Sequence, residues 1–402
     1  MSKIPSLRFP GFSGDWEETT LGEATIFRRG SFPQPYGLKK WFDSVNGSPF
    51  IQVFDIDTNM KLKKESKKKI SDLAKPFSLF VKKGTVVLTI QGSIGRIAIT
   101  QYDSYIDRTL LIFTGYNKEI DKRYFSYLVF LLFEIEKKKA SGGTIKSITK
   151  ELLSSFKINL PKLPEQEKIA NFLSKVDEKI ENLENKEKLL EKMKKGFLQK
   201  LFPASGESVP ELRFPGFDGV WVETKLGEVL EEKIKDKILN PEKYKLLTVK
   251  LHCKGIVKTE KSPRKTKKGR PYYFVKKGEL LVGRQNFHNG GFGISKYKSD
   301  TYITSNAISH YTNKRSSSLF FLELYFSKYN FYKRVDHIIG GTGQKEISKK
   351  EFLGLKLFMP TLEEQQKIAD FLSKIDQKIT AASQEIKETR LLKKGLLQKL
   401  FV

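Results

Sequence analysis

Cysteine is almost missing from this chain. Cys253 is the only one, so no internal disulfide and no cysteine-built zinc site can form. The four histidines, His252, His288, His310 and His337, fall at no metal-ligand spacing, and no HExxH string occurs. The string GGTGQKE from Gly340 lacks the glycine–lysine–Ser/Thr spacing of a phosphate-cradling loop and reads better as a turn. Long apolar runs are lacking too. The most apolar, Tyr124 to Phe133, falls well short of the roughly 20 residues of a membrane span and reads as a buried helix. The start, MSKIPSLRFPGF, has no apolar signal-peptide core. A cytoplasmic protein that holds no metal and enters no membrane is expected.

Negative charge is also scarce. Acidic residues number 46 against 74 lysines and arginines, a formal net charge of +28. That excess suits a polyanionic partner, nucleic acid first and an anionic membrane surface second, although a generally lysine-rich soluble surface would give the same count. Aromatic residues at 12% and apolar residues at 39% argue against disorder, and 402 residues suffice for two or more domains with cores.

What the chain does have is a duplication. The stretch PEQEKIANFLSKVDEKI from Pro164 returns as EEQQKIADFLSKIDQKI from Glu363 at a shift of 199 residues, so Glu165, Gln166 and Ile169 recur as Glu364, Gln365 and Ile368. The ends repeat at the same shift, KGFLQKLF from Lys195 and KGLLQKLF from Lys394. LRFPGFSGDWEETTLGE from Leu7 returns as LRFPGFDGVWVETKLGE from Leu212, pairing Trp16 with Trp221. Between these frames the halves diverge. FVKKGTVVLTIQGSIGRIAIT from Phe80 and FVKKGELLVGRQNFHNGGFGIS from Phe274 read as short strands broken by glycines. An aromatic helical run follows in each half, Arg123 to Lys139 and Leu319 to Val335, then a glycine-rich turn from Gly142 or Gly340. A last strand, Phe156 to Leu160 or Leu355 to Met359, leads through proline into the repeated helix.

The helices carry a seam. Ile169, Val176, Leu183, Leu190 and Phe197 fall seven apart, and Phe172 and Ile180 widen the stripe. The second helix keeps Ile368, Ile375 and Leu396 in that series but puts Ala382 and Thr389 there, with Phe371, Ile379 and Ile386 broadening it. A weaker second seam is expected. About 36 helical residues make a rod of roughly 54 Å. The short linker PASGESV after Phe202 predicts that the second helix runs back along the first, an antiparallel pair holding two domains apart about a pseudo-two-fold axis. Such a rod matches roughly 16 base pairs at about 3.4 Å per step, which suits a split DNA target.

Duplicated and in order, LPKLPEQEKIANFLSKVDEKI and MPTLEEQQKIADFLSKIDQKI, the KGFLQKLF and KGLLQKLF ends, the LRFPGF…W…LGE segments and the GGT turns closely resemble the specificity (S) subunit of type I restriction–modification systems over essentially the whole chain. The resemblance implies an α+β fold with two similar mixed β/α target-recognition domains, residues 1–160 and 204–359, separated by spacer helices over 161–203 and 360–402. It implies one half-site of an asymmetric double-stranded DNA target per domain. It further implies two docked methyltransferase (modification) subunits, and restriction subunits with translocase and nuclease activity. S-adenosylmethionine, ATP and magnesium would belong to those partners, with none bound by this chain. An adenine methyltransferase would need an Asn/Asp-Pro-Pro-aromatic motif; the nearest string, Arg270-Pro271-Tyr272-Tyr273, lacks it. A non-enzyme is expected. Two other readings stay open: a free-standing bipartite DNA-binding or spacer protein, and the recognition part of a fused restriction enzyme.

Phosphate contacts need flexible cations, and each half offers a cluster before FVKKG. One holds Lys63, Lys64, Lys67 and Lys68; the other holds Arg264, Lys265, Lys267 and Arg270. A charge run is as often a solvated loop. Base reading needs Arg for guanine and Asn or Gln for adenine, whose forks match the major-groove edges. The glycine-broken loops supply Gln91, Ser93 and Arg96 in one half and Arg284, Gln285, Asn286 and His288 in the other, with Arg108 and Asn306 as further candidates.

Overall fold

The structure is a computed structural model that describes residues 4–139, 148–233, 238–263, 271–299, 301–314, 317–337 and 346–401. The turns expected at Gly142 and Gly340 lie outside the described residues. The chain divides into two compact units, Met1–Asn185 with Ser383–Val402, and Lys186–Ala382.

The first unit runs β1 (Glu17–Thr20), α1 (Leu21–Ala24), β2 (Thr25–Arg29), β3 (Ser48–Ile51), β4 (Lys68–Ile70), β5 (Leu79–Val81), β6 (Val86–Thr89), β7 (Ile97–Ile99), β8 (Ser104–Ile106) and β9 (Leu110–Tyr116). It continues through α2 (Lys122–Lys139), α3 (Lys150–Ser154), β10 (Lys157–Leu160) and the start of the long α4 (Leu163–Lys200), whose residues from Lys186 belong to the second unit. The second half gives β11 (Val222–Lys225), α5 (Leu226–Val229), β12 (Leu230–Glu232), β13 (Lys245–Val249), β14 (Ile256–Lys258), β15 (Tyr272–Phe274), β16 (Leu280–Gly283), β17 (Phe292–Ile294), β18 (Tyr302–Ser305) and β19 (Ile308–Asn313). Then follow α6 (Leu319–Phe326), α7 (Tyr329–Lys333), α8 (Lys349–Gly354), β20 (Lys356–Met359) and α9 (Leu362–Leu400). The second aromatic run is thus two helices, parted where Lys328 turns to extended backbone at ψ 122°.

Sheet order repeats strand for strand. The first unit pairs β1-β10, β2-β9-β6-β7 and β4-β3-β8-β5; the second pairs β11-β20, β12-β19-β16-β17 and β14-β13-β18-β15. In each, one parallel pairing, β3 with β8 and β13 with β18, joins otherwise antiparallel strands. Each unit has a main core, with Trp16, Tyr124, Phe125 and Phe133 in one and Trp221, Phe321, Phe326 and Phe352 in the other.

The shared Glu-Gln pair explains why the helix start is fixed so firmly. Glu165, 3% exposed, accepts from Arg8 through Nε and Nη2, both at 2.8 Å, and Arg8 also donates to the Gly14 carbonyl at 2.6 Å. Glu364 holds Arg213 the same way, at 2.8 and 2.7 Å. The adjacent Gln166 accepts from the Asp121 amide at 3.1 Å and donates to the carbonyls of Glu119 and Pro161. Gln365 accepts from the Ser318 amide at 3.0 Å. The glutamate therefore straps the LRFPGF segment down, and the glutamine anchors the residue that starts the aromatic helix. Phe9 packs on Phe172 and Phe214 on Phe371, at 5.5 and 5.4 Å between ring centres, completing the strap.

The seam residues are sorted by burial. Ile169, Leu183, Ile368, Ile375 and Ile386 are buried. Val176, Ile180, Leu190, Phe197, Phe371, Ile379 and Leu396 are half-buried, and Phe172 is exposed apart from its contact with Phe9. Within the first unit Asp177 meets Lys393 at 2.5 Å and Glu184 meets Arg390 at 2.6 Å; within the second, Lys194 meets Asp376 at 2.6 Å. Phe197 also packs on Phe371 in the second unit, at 4.9 Å between ring centres, so in each unit the two helix segments run antiparallel. Ala382 and Thr389 do not weaken the seam by exposing it. They are 3% and 6% exposed, and Thr389 satisfies its hydroxyl on the Glu385 carbonyl at 2.8 Å.

Where the halves differ, charge replaces apolar packing. Glu279 stands where the first unit has Thr85, and His310 where it has Ile112, as FVKKG and the strand registers align them. Glu279, 2% exposed, takes Lys233 at 2.6 Å, His310 Nδ1 at 3.2 Å and the Lys276 amide at 2.9 Å, while His310 Nε2 lies 2.7 Å from the Thr304 hydroxyl. Burial alone would raise the Glu279 carboxyl; the bonds from His310, Lys233 and the Lys276 amide outweigh it and hold the pKa at about 2 instead of 4.5.

Two outcomes are expected. Removing Glu165 leaves Arg8 without its partner, a loss on the order of 3 kcal/mol for a buried pair. In hydrogen exchange, Glu165→Ala should deprotect residues 4–16 and Glu364→Ala residues 209–221; straps that stay equally protected would show that the pair does not fasten them. For Glu279 the folded pKa is depressed, so its stabilisation is complete above the usual 4.5 and fades as pH falls toward 2. The stability gap between wild type and Glu279→Gln, followed by denaturant titration across pH, should be widest near neutrality and close in acid. A gap independent of pH would contradict the network.

Candidate nucleic-acid interface

In the first unit the lysine-rich segment is folded around a buried carboxylate. Asp55 accepts from the amides of Gln52 and Lys67, both at 2.9 Å, and its carbonyl accepts from the Lys63 amide at 2.8 Å. Burial pushes the Asp55 carboxyl up, against the pull of those amides and of the Lys63 and Lys67 charges. Tyr102 donates its hydroxyl to the Lys63 carbonyl at 3.0 Å. The segment is thereby laid out with Lys63, Lys64 and Lys67 exposed and Lys68 half-buried on β4. Lys40 lies over Trp41 at 4.4 Å, Lys67 over Phe54 at 5.0 Å and Lys68 over Phe42 at 4.7 Å. These contacts hold the ammonium groups over ring faces, which orients the cations on this part of the surface. Phe77 and Phe80, 60% and 46% exposed, pack edge-on against Trp41 and Tyr105. A basic face interleaved with aromatics suits a sugar–phosphate backbone.

Gln91 and Ser93 are exposed on the loop from β6 to β7. Thr89 pins that loop, donating its hydroxyl to the Ser93 carbonyl at 2.5 Å and accepting from the Arg96 amide at 2.9 Å. Arg96 is half-buried and donates to the Ile56 carbonyl at 3.3 Å. Arg108 is exposed on the turn from β8 to β9, its guanidinium 5.2 Å from the centre of the Tyr36 ring.

In the second unit Arg264, Lys265, Lys267 and Arg270 lie outside the described residues. The string RQNFHN is not the open glycine-broken hairpin that its sequence suggests. It forms a 3-10 turn over Arg284–Asn289, because Phe287 is drawn fully into the core. That leaves Asn286 exposed and Gln285 and His288 half-buried; His288 Nε2 lies 2.9 Å from the Asn289 side-chain amide. Arg284 is half-buried, ion-paired with Glu346 at 2.7 Å, and donates to the Asn306 carbonyl at 3.2 Å. One donor group is thus committed to the protein backbone, and the charge is shared with Glu346. Asn306 is exposed on the turn from β18 to β19.

Nothing in the sequence signals the groups behind these turns. Tyr36 donates to Asp107 at 2.5 Å and accepts from Gln52, residues far apart in the chain that only the parallel β3–β8 pairing brings together. Nor does periodicity single out the apolar side chains left on the helix surfaces. Leu189 and Met193 of α4, in the second unit, and Leu391 and Leu392 of α9, in the first, are 59%, 43%, 70% and 57% exposed. Among the described residues no group of His, Cys, Asp or Glu is placed to hold a metal ion, and no helix is long and apolar enough to cross a membrane. What the site can do is bind: cations for phosphate, amides and guanidinium for base edges.

Known proteins agree with this organisation. The type I restriction modification DNA specificity domain matches twice, over residues 14–192 and 219–389. The chain is 24% identical over 422 aligned positions to the type I restriction enzyme MjaVIII specificity subunit of Methanocaldococcus jannaschii, covering 96% of this chain and 92% of that one. It is 25% identical over 309 positions to the putative MjaX specificity subunit of the same organism, covering 68% of this chain and 66% of that one. Its fold is similar to the crystal structure of the type I restriction–modification S subunit from M. genitalium, with a TM-score of 0.62, 15% identity and 99% of both chains covered. With both halves matched over most of their length, the chain belongs to the family of type I restriction–modification DNA specificity subunits.

Proposed function

We propose that this specificity subunit reads a bipartite, asymmetric double-stranded DNA target, one half-site per domain, and directs two methyltransferase subunits and the restriction subunits to it. The observation that carries the reading is the strand-for-strand repetition of the scaffold around exposed turns whose side chains mostly differ, Arg108 against Asn306 and Ser93 against Phe287. A scaffold used twice with different surface chemistry is what an asymmetric target requires. Lys63, Lys64, Lys67 and Lys68 would sit on phosphates, as would Arg264, Lys265, Lys267 and Arg270. Gln91, Ser93, Arg96, Gln285, Asn286 and His288 border the base-reading face. Leu189, Met193, Leu391 and Leu392 offer partner subunits apolar anchors that a free-standing DNA-binding protein has no reason to expose. On this reading the chain is non-catalytic and works in the cytoplasm. S-adenosylmethionine serves the methyltransferase subunits, and ATP and magnesium serve the restriction subunits.

Mapping methylated adenine in cells with and without the gene tests the reading. A split motif that is methylated only when the gene is present is expected; methylation indifferent to the gene would refute it. The phosphate assignment has its own measurement. Replacing Lys63, Lys64, Lys67 and Lys68 by alanine should weaken binding of the assembled complex to every DNA sequence. It should also flatten the plot of log affinity against log salt by about 0.9 for each phosphate that is no longer neutralised. A slope equal to that of the wild type would place those lysines elsewhere.

A further inference from the structure

The strand registers align one exposed turn in the two domains without a gap. Thr89 pairs with Leu110 and Gly283 with Ile308, so Leu110 and Ile308 are equivalent. On the other side Phe80 pairs with Tyr105 and Phe274 with Ile303, so Tyr105 and Ile303 are equivalent. Both alignments have the same offset of 198 residues, and both put Arg108 opposite Asn306. A matching backbone bond holds the turn in each domain, from the Ile90 amide to the Thr109 carbonyl at 3.1 Å and from the Arg284 amide to the Ala307 carbonyl at 3.3 Å. Immediately beyond that bond stand Gln91 and Gln285, identical side chains at equivalent places.

Each turn is braced by a different device. Asp107 accepts from Tyr36 and from the Thr109 amide at 2.9 Å, while Arg108 lies over the Tyr36 ring. In the second domain Arg284 donates to the Asn306 carbonyl and is itself tied to Glu346. The braces end at the backbone and the ring. No hydrogen bond or ion pair to a described residue holds the Arg108 guanidinium or the Asn306 amide, although the neighbouring Arg96 and Arg284 are both engaged. The turn that carries Arg108 leaves β8, a strand of the same four-stranded sheet as the basic strand β4, so a duplex resting on Lys67 and Lys68 would present its bases toward that turn.

We infer that Arg108 and Asn306 are equivalent specificity-determining residues, Arg108 reading a guanine in one half-site and Asn306 an adenine in the other. The guanidinium fork matches the two acceptors on the major-groove edge of guanine, and the carboxamide matches the acceptor–donor pair of adenine. The inference rests on the DNA-reading function proposed above and adds which side chains set the two halves apart.

The test uses the complete system, with methylation mapping in cells and binding of the purified complex to DNA panels varied one base pair at a time. Arg108→Ala should relax one base pair in one half-site, cutting discrimination there by about 10–100-fold, and leave the other half-site unchanged. Asn306→Ala should do the same in the other half, and Arg108→Asn should shift preference at the relaxed pair from guanine toward adenine. If wild type yields no split motif dependent on the gene, the DNA-reading function itself fails. If wild type yields one and Arg108→Ala leaves it unchanged at full occupancy, the inference fails alone. A loss spread evenly over all base pairs would place Arg108 on a phosphate and also overturn it.

Discussion

Each half of this specificity subunit depends on a buried glutamate–glutamine pair at the first turn of a long helix. Burying a carboxylate is expensive unless it is fully paired, and Glu165 and Glu364 are each met by a two-pronged arginine from the strap. The neighbouring glutamines spend their side chains on the backbone where the aromatic helix begins. Helix, strap and aromatic helix are therefore positioned by one polar knot, and the main core closes around it. Because the knot is polar and directional, it fixes geometry in a way that the interchangeable apolar residues around it could not.

Beyond the knot, the two domains show how far contents can drift while a frame persists. The pairing order of the strands is held by backbone hydrogen bonds, which do not depend on side-chain identity. The second domain can thus carry the Glu279–His310–Lys233 network where the first has Thr85 and Ile112. It can build RQNFHN into a 3-10 turn anchored by Phe287 where the first has an open loop pinned by Thr89.

The frame was legible in the sequence and the candidate nucleic-acid face only in outline. Exact repeats at 199 and 205 residues exposed the straps and long helices, and seven-residue spacing located the seam. A heptad count shows Ala382 and Thr389 only as small residues in the series; the structure adds that both are buried positions of α9. In the interiors the alignment offset drifts from 194 at FVKKG to 198 at the turn, and IDRTLL has too little in common with TSNAIS to be matched by eye. The equivalence of Arg108 and Asn306 emerges only from strand pairing. Partnering was invisible as well: nothing in the string RQNFH announces that its arginine is ion-paired with Glu346 from a distant segment.

Gly30, immediately after β2 and beneath the first-domain turn, carries a consequence for how such a protein diversifies. Its amide donates to the Leu110 carbonyl, and a methyl group added there would stand 2.3 Å from the Asp107 carbonyl oxygen. The height of the turn is therefore set by main chain pressed against main chain, with no side chain between. Residue 108 projects from a platform whose position does not depend on what it projects. If Arg108 reads a base as inferred above, a substitution there would alter the letter being read without moving the reader, and inheritance could try new letters one at a time while the fold stays out of the experiment.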